Sequence, residues 1–509
     1  MKEFLGGRIM KKHLTLLLMA ASLFVGFIST SFSVSAQEED TQQLNFAISV
    51  DPDGLDPQRT VAASSFQVTN NIYDTLVKVT PAGEYVPGLV ESWEVSEDGL
   101  TITFKLVEGI SFHNEAPFNA EAVVASFDRL KDDASPRGLD YANITSYEAI
   151  SEYEVEFVTE ELDVELVSSF AYPWAAIVEA SVGDDLKNNP VGTGAYKLQE
   201  WVPQQRLVLE AYDGAMVTAQ IPVVNFVTIP DASARVLAFQ SGEVDIMGIS
   251  GDQVSLFEAA EGFKIVESQS NALQLMAMNL ENEYLSNPLV RHAMNLAVNK
   301  DVLIESIWYG YGNKIGSHYP PILKGHVDHS EAYAYNLEEA KALLAEAGYP
   351  DGFTITMDLP SDYQAYVDAG QVIASDLAQI GITVETNIVE WAYWLEEVYT
   401  GRNYDLTVVG HTGRLDPFVL LARYDSESGE NYFNYSNERV DEILRSVKQV
   451  QDEQERLDLY AEIQAILAEE VPALYIQSPV SLMIMDESLE GFEVYPLDIY
   501  EIKDVHYVN

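Results

Sequence analysis

Residues 86–130 constrain this chain more than any other stretch, because they prescribe two strands and a helix in one unbroken run. Ser96-Glu97-Asp98-Gly99 is a turn signal, with Asp98-Gly99 supplying the φ > 0 position that a tight hairpin needs. Strands are expected on both sides. Leu100, Ile102, Phe104 and Leu106 alternate with Thr101, Thr103 and Lys105, the period-two pattern of a half-buried strand. A helix follows, with Asn119 as its cap, Glu121 in its first turn, and Val123, Val124, Phe127 and Leu130 along one apolar stripe.

The run Pro87-Gly88-Leu89-Val90-Glu91-Ser92-Trp93, then Ser96-Glu97-Asp98-Gly99, then Phe112-His113-Asn114-Glu115-Ala116-Pro117 resembles the signature of a family of extracellular solute-binding proteins. That family delivers peptides, nickel complexes and related solutes to ABC importers. Three positions depart from its usual pattern: Val90 replaces Ala, Val107 replaces Arg, and Asn114-Glu115 replaces Asp-Gly, which removes a glycine from that turn. Later blocks agree in order. Pro190-Val191-Gly192-Thr193-Gly194-Ala195-Tyr196 is similar to the family's Gly-Thr-Gly-Pro-Tyr crossover, whose glycines allow backbone geometry that a Cβ resists. Pro288-Leu289-Val290-Arg291-His292-Ala293 is similar to its Val-Arg-x-Ala helix. Asn336-Leu337-Glu338-Glu339-Ala340, with Gly348 and Pro350 beyond, reads without any family as a capped and stopped helix.

At 509 residues and 47% hydrophobic, the chain exceeds what one core usually supports. Strand-like runs at 44–50, 153–158, 206–209, 224–229, 273–278, 354–359 and 406–409 alternate with helical ones, so the fold class is mixed α/β. The resemblance implies a two-lobed periplasmic-binding-protein-like fold with a hinge and an additional inserted domain. It places a discontinuous lobe I at 37–75, 191–272 and 480–509, the inserted domain at 76–190 and lobe II at 273–479, with closure of the lobes around solute.

Lys2, Arg8, Lys11 and Lys12, the apolar residues 14–28, and Val34-Ser35-Ala36 form the three regions of a secretory signal peptide over residues 1–36. The apolar run is shorter than the roughly 20 residues of a spanning helix, the alternative reading. Met10-Lys11-Lys12 offers a second start besides Met1. The expected location is the periplasm or the outer face of the cell membrane. The absence of cysteine excludes disulfides, thiolate sites, cysteine nucleophiles and a lipidated-cysteine anchor. With 81 acidic against 28 basic residues, net −53, the surface repels nucleic acid and anionic membranes and suits concentrated salt.

No His-Glu-x-x-His, Gly-x-Ser-x-Gly or phosphate-loop pattern occurs, so no catalytic residue and no cofactor is assigned. Asp51-Pro52-Asp53-Gly54-Leu55-Asp56 begins like a calcium loop, but Ala62 stands where the bidentate carboxylate belongs, and a turn is expected. His318, His326 and His329 have a spacing that suits a transition metal, but solvated loop histidines are the expectation, and no metal site is assigned.

The strand at 404–410 empties into His411-Thr412-Gly413-Arg414-Leu415-Asp416-Pro417, at the carboxyl edge where open α/β sheets take ligands. Asp416 matches the family's Asp-Pro, whose acid implies a partner for a peptide ammonium; the alternative is that Arg414 and Asp416 pair or cap the turn. Trp391 and Tyr393 are expected as pocket walls and Trp394 as packing. Arg137 is expected to grip an anionic end, or else to form a surface salt bridge. The ligand-binding set is thus Asp416, Arg414, Trp391, Arg137, His411 and Tyr393. The reading is an exported, monomeric solute-binding component that captures peptides or similar solutes and hands them to ABC permease subunits without chemistry. The alternatives are a carrier of nickel or another metallophore, a secreted hydrolase, and a structural envelope protein.

Overall fold

A computed structural model describes residues 42–257, 261–412, 415–497 and 499–508. The signal-peptide reading of residues 1–36 lies outside the described residues. Twelve of the described strands form one mixed sheet, ten along one path and two, Phe263–Gln269 and Gly312–Lys314, each paired with its strand Ala473–Asp486 off that path. Its path runs Ile382–Val389, Phe353–Pro360, Leu406–Thr412, Ala272–Met278, Ala473–Asp486, Ile246–Ile249, Gln43–Ile48, Val223–Thr228, Arg206–Ala211 and Tyr196–Val202. The 14-residue strand Ala473–Asp486 belongs to both ends, with Ala473 opposite Ala277 and Met485 opposite Ile246. It is buried over most of its length, with the apolar stretches 473–476 and 482–485 separated by Gln477, Ser478, Pro479 and Ser481.

A separate four-stranded antiparallel sheet, Val90–Val95, Thr101–Leu106, Glu154–Thr159 and Ile144–Ser151, carries the opening motif. Ile102, Phe104 and Leu106 point into its core, as their alternation requires. Gly99 turns the hairpin at φ 72°. The helix Ala120–Leu130 covers this sheet, and Asn119 accepts a hydrogen bond from the Ala122 amide at 3.0 Å. Rings of Phe127, Phe157 and Phe170 meet at 4.9–5.5 Å between the helix and the sheet.

Two family positions gain a physical account. Glu115 holds φ 68° where the family has glycine, so a residue with a Cβ sits in the left-handed region. The role of Gly192 and Gly194 is close approach rather than unusual dihedrals. A Cβ on Gly192 would lie 2.1 Å from the Ile72 carbonyl oxygen, and one on Gly194 would lie 2.5 Å from that of Asn71.

The residues that begin like a calcium loop form a turn. Asp53 accepts from the hydroxyls of Thr60 and Ser65, each at 2.7 Å. Asp56, buried, pairs with Arg129 at the end of the covering helix, and Arg129 also donates to Gln58 at 3.0 Å. Among the described residues no helix is long and apolar enough to cross a membrane.

Candidate functional site

Phe353–Pro360 runs parallel to both Ile382–Val389 and Leu406–Thr412, so three strands end at one edge. Tyr363, Trp391 and Tyr393 follow two of those ends in sequence. Trp391 stacks on Trp394 at 4.7 Å with the rings 4° apart, and Tyr363 meets Trp391 edge-on at 5.1 Å. The Trp391 amide donates to the Asp362 carboxylate at 3.0 Å, which fixes where this turn starts. Trp394 is buried, its indole N–H donating to the Thr407 hydroxyl at 2.9 Å, whereas Tyr393 is 49% exposed. Trp394 therefore packs, whereas Trp391 is half-buried and Tyr393 exposed just beyond the end of Ile382–Val389.

His411 lies inside this edge rather than on it. Its Nδ1 is 3.3 Å from His318 Nε2 and 3.1 Å from an Arg423 nitrogen, and its Nε2 is 3.0 Å from the Tyr432 hydroxyl. His318 continues the chain to Tyr424 at 2.7 Å, and Tyr424 to Tyr475 at 3.0 Å. Burial and the Arg423 charge hold both imidazoles well below the usual histidine range, so both are neutral. This corrects the expectation of solvated histidines: His318 is fully buried, in a network that ends on the strand shared by both ends of the sheet. His326, by contrast, bonds the Tyr319 carbonyl oxygen. Among the described residues no three His, Cys, Asp or Glu side chains group as a metal site.

Asp416 begins the helix Pro417–Leu421, accepting from the Phe418 amide at 2.8 Å, and is 7% exposed. The turn-capping role therefore holds, but it uses one carboxylate oxygen. Leu415 and Pro417 line a cavity of about 1070 Å³ together with Tyr85, Trp93, residues 162–165, Val167, Ser168, Arg456 and Tyr460. Burial pushes the Asp416 carboxyl up to about 7, helped by Glu165 and opposed by Lys448 and the Phe418 amide. Glu165 is also raised, chiefly by burial, against Arg456, whose Nε is 3.4 Å away. Asp163 pairs with Lys448, and the Val164 amide donates to the Lys448 carbonyl oxygen at 3.1 Å.

The predicted residues thus fall in separate places. Trp391 joins Trp394, and through Trp394 and Tyr432 the stack reaches His411. Asp416 lies between Leu415 and Pro417, which line the cavity, and is not itself one of the lining residues. Arg137 is elsewhere, its guanidinium 4.4 Å over the ring of Trp174. Arg414 lies outside the described residues. Sequence reasoning missed Arg423, Glu165, Lys448, Arg456 and Tyr460. The acid-rich Asp163-Val164-Glu165 was visible, but its partners lie almost 300 positions away and no spacing connects them.

Residues 84–432 match the model of the bacterial extracellular solute-binding proteins, family 5 Middle. The chain is 28% identical over 497 residues to the dipeptide-binding protein of Escherichia coli (strain K12), covering 89% of this chain and 92% of that protein. HbpA2 from Haemophilus parasuis superposes with a TM-score of 0.85 at 26% identity, over 92% of this chain and 100% of that one. The periplasmic binding protein DppA from Helicobacter pylori, solved in complex with the peptide STSA, superposes with a TM-score of 0.74 at 28% identity, over 92% and 98% of the two chains.

Proposed function

The chain belongs to the bacterial extracellular solute-binding proteins of family 5, and from that membership we propose that it captures peptides with a free amino terminus and presents them to the permease of an ABC importer. The observation that carries this reading is Asp416: a buried carboxylate whose chain neighbours Leu415 and Pro417 line a cavity of about 1070 Å³, and which accepts from the Phe418 amide through one oxygen. A cavity of that size suits a peptide of a few residues. The relatives named above are a dipeptide-binding protein and a protein solved with a tetrapeptide, which favours peptides over chelated metal.

In this reading the two ends of the large sheet are the two lobes, joined by Ala473–Asp486, and residues 76–190 form the inserted domain. Trp391 and Tyr393 wall the ligand edge, His411 holds that edge in shape through Tyr432 and His318, and Arg137 buttresses the inserted domain through Trp174. The protein acts as an exported monomer and performs no chemistry on its cargo. Native mass spectrometry of the protein as isolated identifies what it carries. The identified peptide, added at a hundredfold excess over Kd, should stabilise the fold by about 2.7 kcal/mol and be recovered unchanged. Its recovery as cleaved products would overturn the reading.

A further inference from the structure

The hairpin tip at 96–99 and residues 162–165, both part of the unit built on the small sheet, meet residues 447–456, which run from the end of the helix Glu438–Ser446 into the first turn of Glu453–Glu470. Four polar contacts cross between them. Lys448 pairs through its ammonium with Asp163 and accepts the Val164 amide on its carbonyl oxygen at 3.1 Å. Arg456 Nε lies 3.4 Å from the Glu165 carboxylate, and Gln451 Nε2 donates to the Glu97 carbonyl oxygen at 3.3 Å. Each side is braced from within. Asp163 accepts the Glu165 amide at 3.1 Å, and Arg456 donates to the carbonyl oxygens of Val450 and Gln451, each at 2.9 Å. Two stiff pieces therefore touch, and they can part without either one unfolding. The same unit is fastened more firmly on another side. Arg129 pairs with Asp56 and Gln58 donates to Ser126 at 3.1 Å, and all four residues are 8% exposed or less. The side chains of Asp163, Glu165 and Arg456 are 13–17% exposed and that of Lys448 is 32%. Water and counter-ions reach this second set, so salt weakens it while leaving the buried pair nearly untouched. Glu97, Asp163, Glu165, Gln451 and Arg456 also line the cavity of about 1070 Å³, which makes the contact part of its wall.

We propose that the contact of residues 96–99 and 162–165 with residues 447–456 is an ionic clasp: it is the stretch of cavity wall that parts to admit and release solute, and ionic strength sets how often it does so. The clasp works in the same way whatever solute the cavity takes. It also gives this chain two opposite responses to salt. Screening relieves the mutual repulsion of 81 acidic residues and tightens the fold as a whole, but it weakens the attraction of Asp163 for Lys448 and of Glu165 for Arg456 and loosens this one contact.

The chain has no cysteine, so one introduced thiol reports on one place. Ser168→Cys puts it on the cavity wall at a position 5% exposed, and Val290→Cys puts it in the buried face of the helix Pro288–Ala297 as a control. The measurement is the rate of labelling by methyl methanethiosulfonate, a small neutral reagent, divided by the rate for the same variant unfolded in urea at the same salt. Between about 0.05 M and about 1 M salt, labelling of S168C should speed up about 3-fold or more, while labelling of V290C slows. Adding K448Q or D163N should each speed S168C about 3-fold or more at low salt and abolish its salt dependence, with V290C unchanged. The two substitutions shift the local charge in opposite directions, so an effect exerted only on the reactivity of the thiol would give them opposite signs. Opposite signs, a slowing of both reporters by salt, or an equal acceleration of V290C by either substitution would each overturn the clasp. V167C, on the same wall, repeats the measurement should S168C fail to fold.

Discussion

Asp416→Asn should move folding and binding in opposite directions, and pH exposes the sign. The Asp416 carboxyl titrates near 7 in the folded protein, against about 3.9 for an unfolded aspartate. Its folded value is raised, so the folded state holds a proton that the unfolded state has released between about pH 4 and pH 7. Stability therefore falls as pH rises through that window and stays low above it. Three units correspond to at most about 4 kcal/mol, and Glu165, also raised, adds in the same direction. Asparagine caps a helix as well as aspartate does, so the Phe418 amide keeps its acceptor while the buried charge is gone. At pH 8 the unliganded variant should be more stable than the original by about 2–4 kcal/mol, and at pH 4 the two should be nearly equal. For a cooperative unit of about 200 residues, each kcal/mol moves the melting temperature by about 2–4 °C. Calorimetric melts of both proteins at pH 4, 6 and 8 give the comparison. A variant that is equally or less stable at pH 8 would refute the claim that Asp416 is a charge kept at the expense of the fold.

Arg129→Met should destabilise the protein by about 3–5 kcal/mol, because it strands the buried Asp56 carboxylate; a urea midpoint shift well below that size would show Asp56 to be solvated. Glu115→Gly should stabilise by up to about 1 kcal/mol by relieving a left-handed residue with a Cβ, seen as a higher melting temperature with unchanged ligand affinity. With 81 acidic residues against 28 basic, stability should climb from low ionic strength into molar salt, as the Debye length shortens from about 30 Å at 0.01 M to about 3 Å at 1 M; melting temperatures that are flat in both chloride and a weakly interacting salt would contradict this.

Local chemistry was legible in the chain, and long-range charge matching was not. Asp98-Gly99, Asn119, Asn336 and the alternation at 101–106 each act within a few residues, so their periodicity states the element directly. The packing role expected of Trp394 is met by its buried indole, whose N–H reaches the Thr407 hydroxyl. His318 misled because Pro320-Pro321 and Gly325 make its surroundings look like an exposed loop, yet Tyr424 and Tyr475 close over it from positions more than 100 residues later. Lys448 and Arg456 stand on ordinary helical segments, and only tertiary contact gives them a meaning beyond that of surface cations.

The pairing of Gln43–Ile48 sets how late in synthesis the large sheet can close. This strand sits inside the sheet, and both its partners, Val223–Thr228 and Ile246–Ile249, lie at least 175 residues downstream. Ile246–Ile249 in turn waits for residues 482–485. A ribosome working at about 5–20 residues per second leaves the first strand without a sheet for many seconds. The small sheet at 90–159 draws on local partners and can pair in that interval, so the large sheet closes around its first strand last.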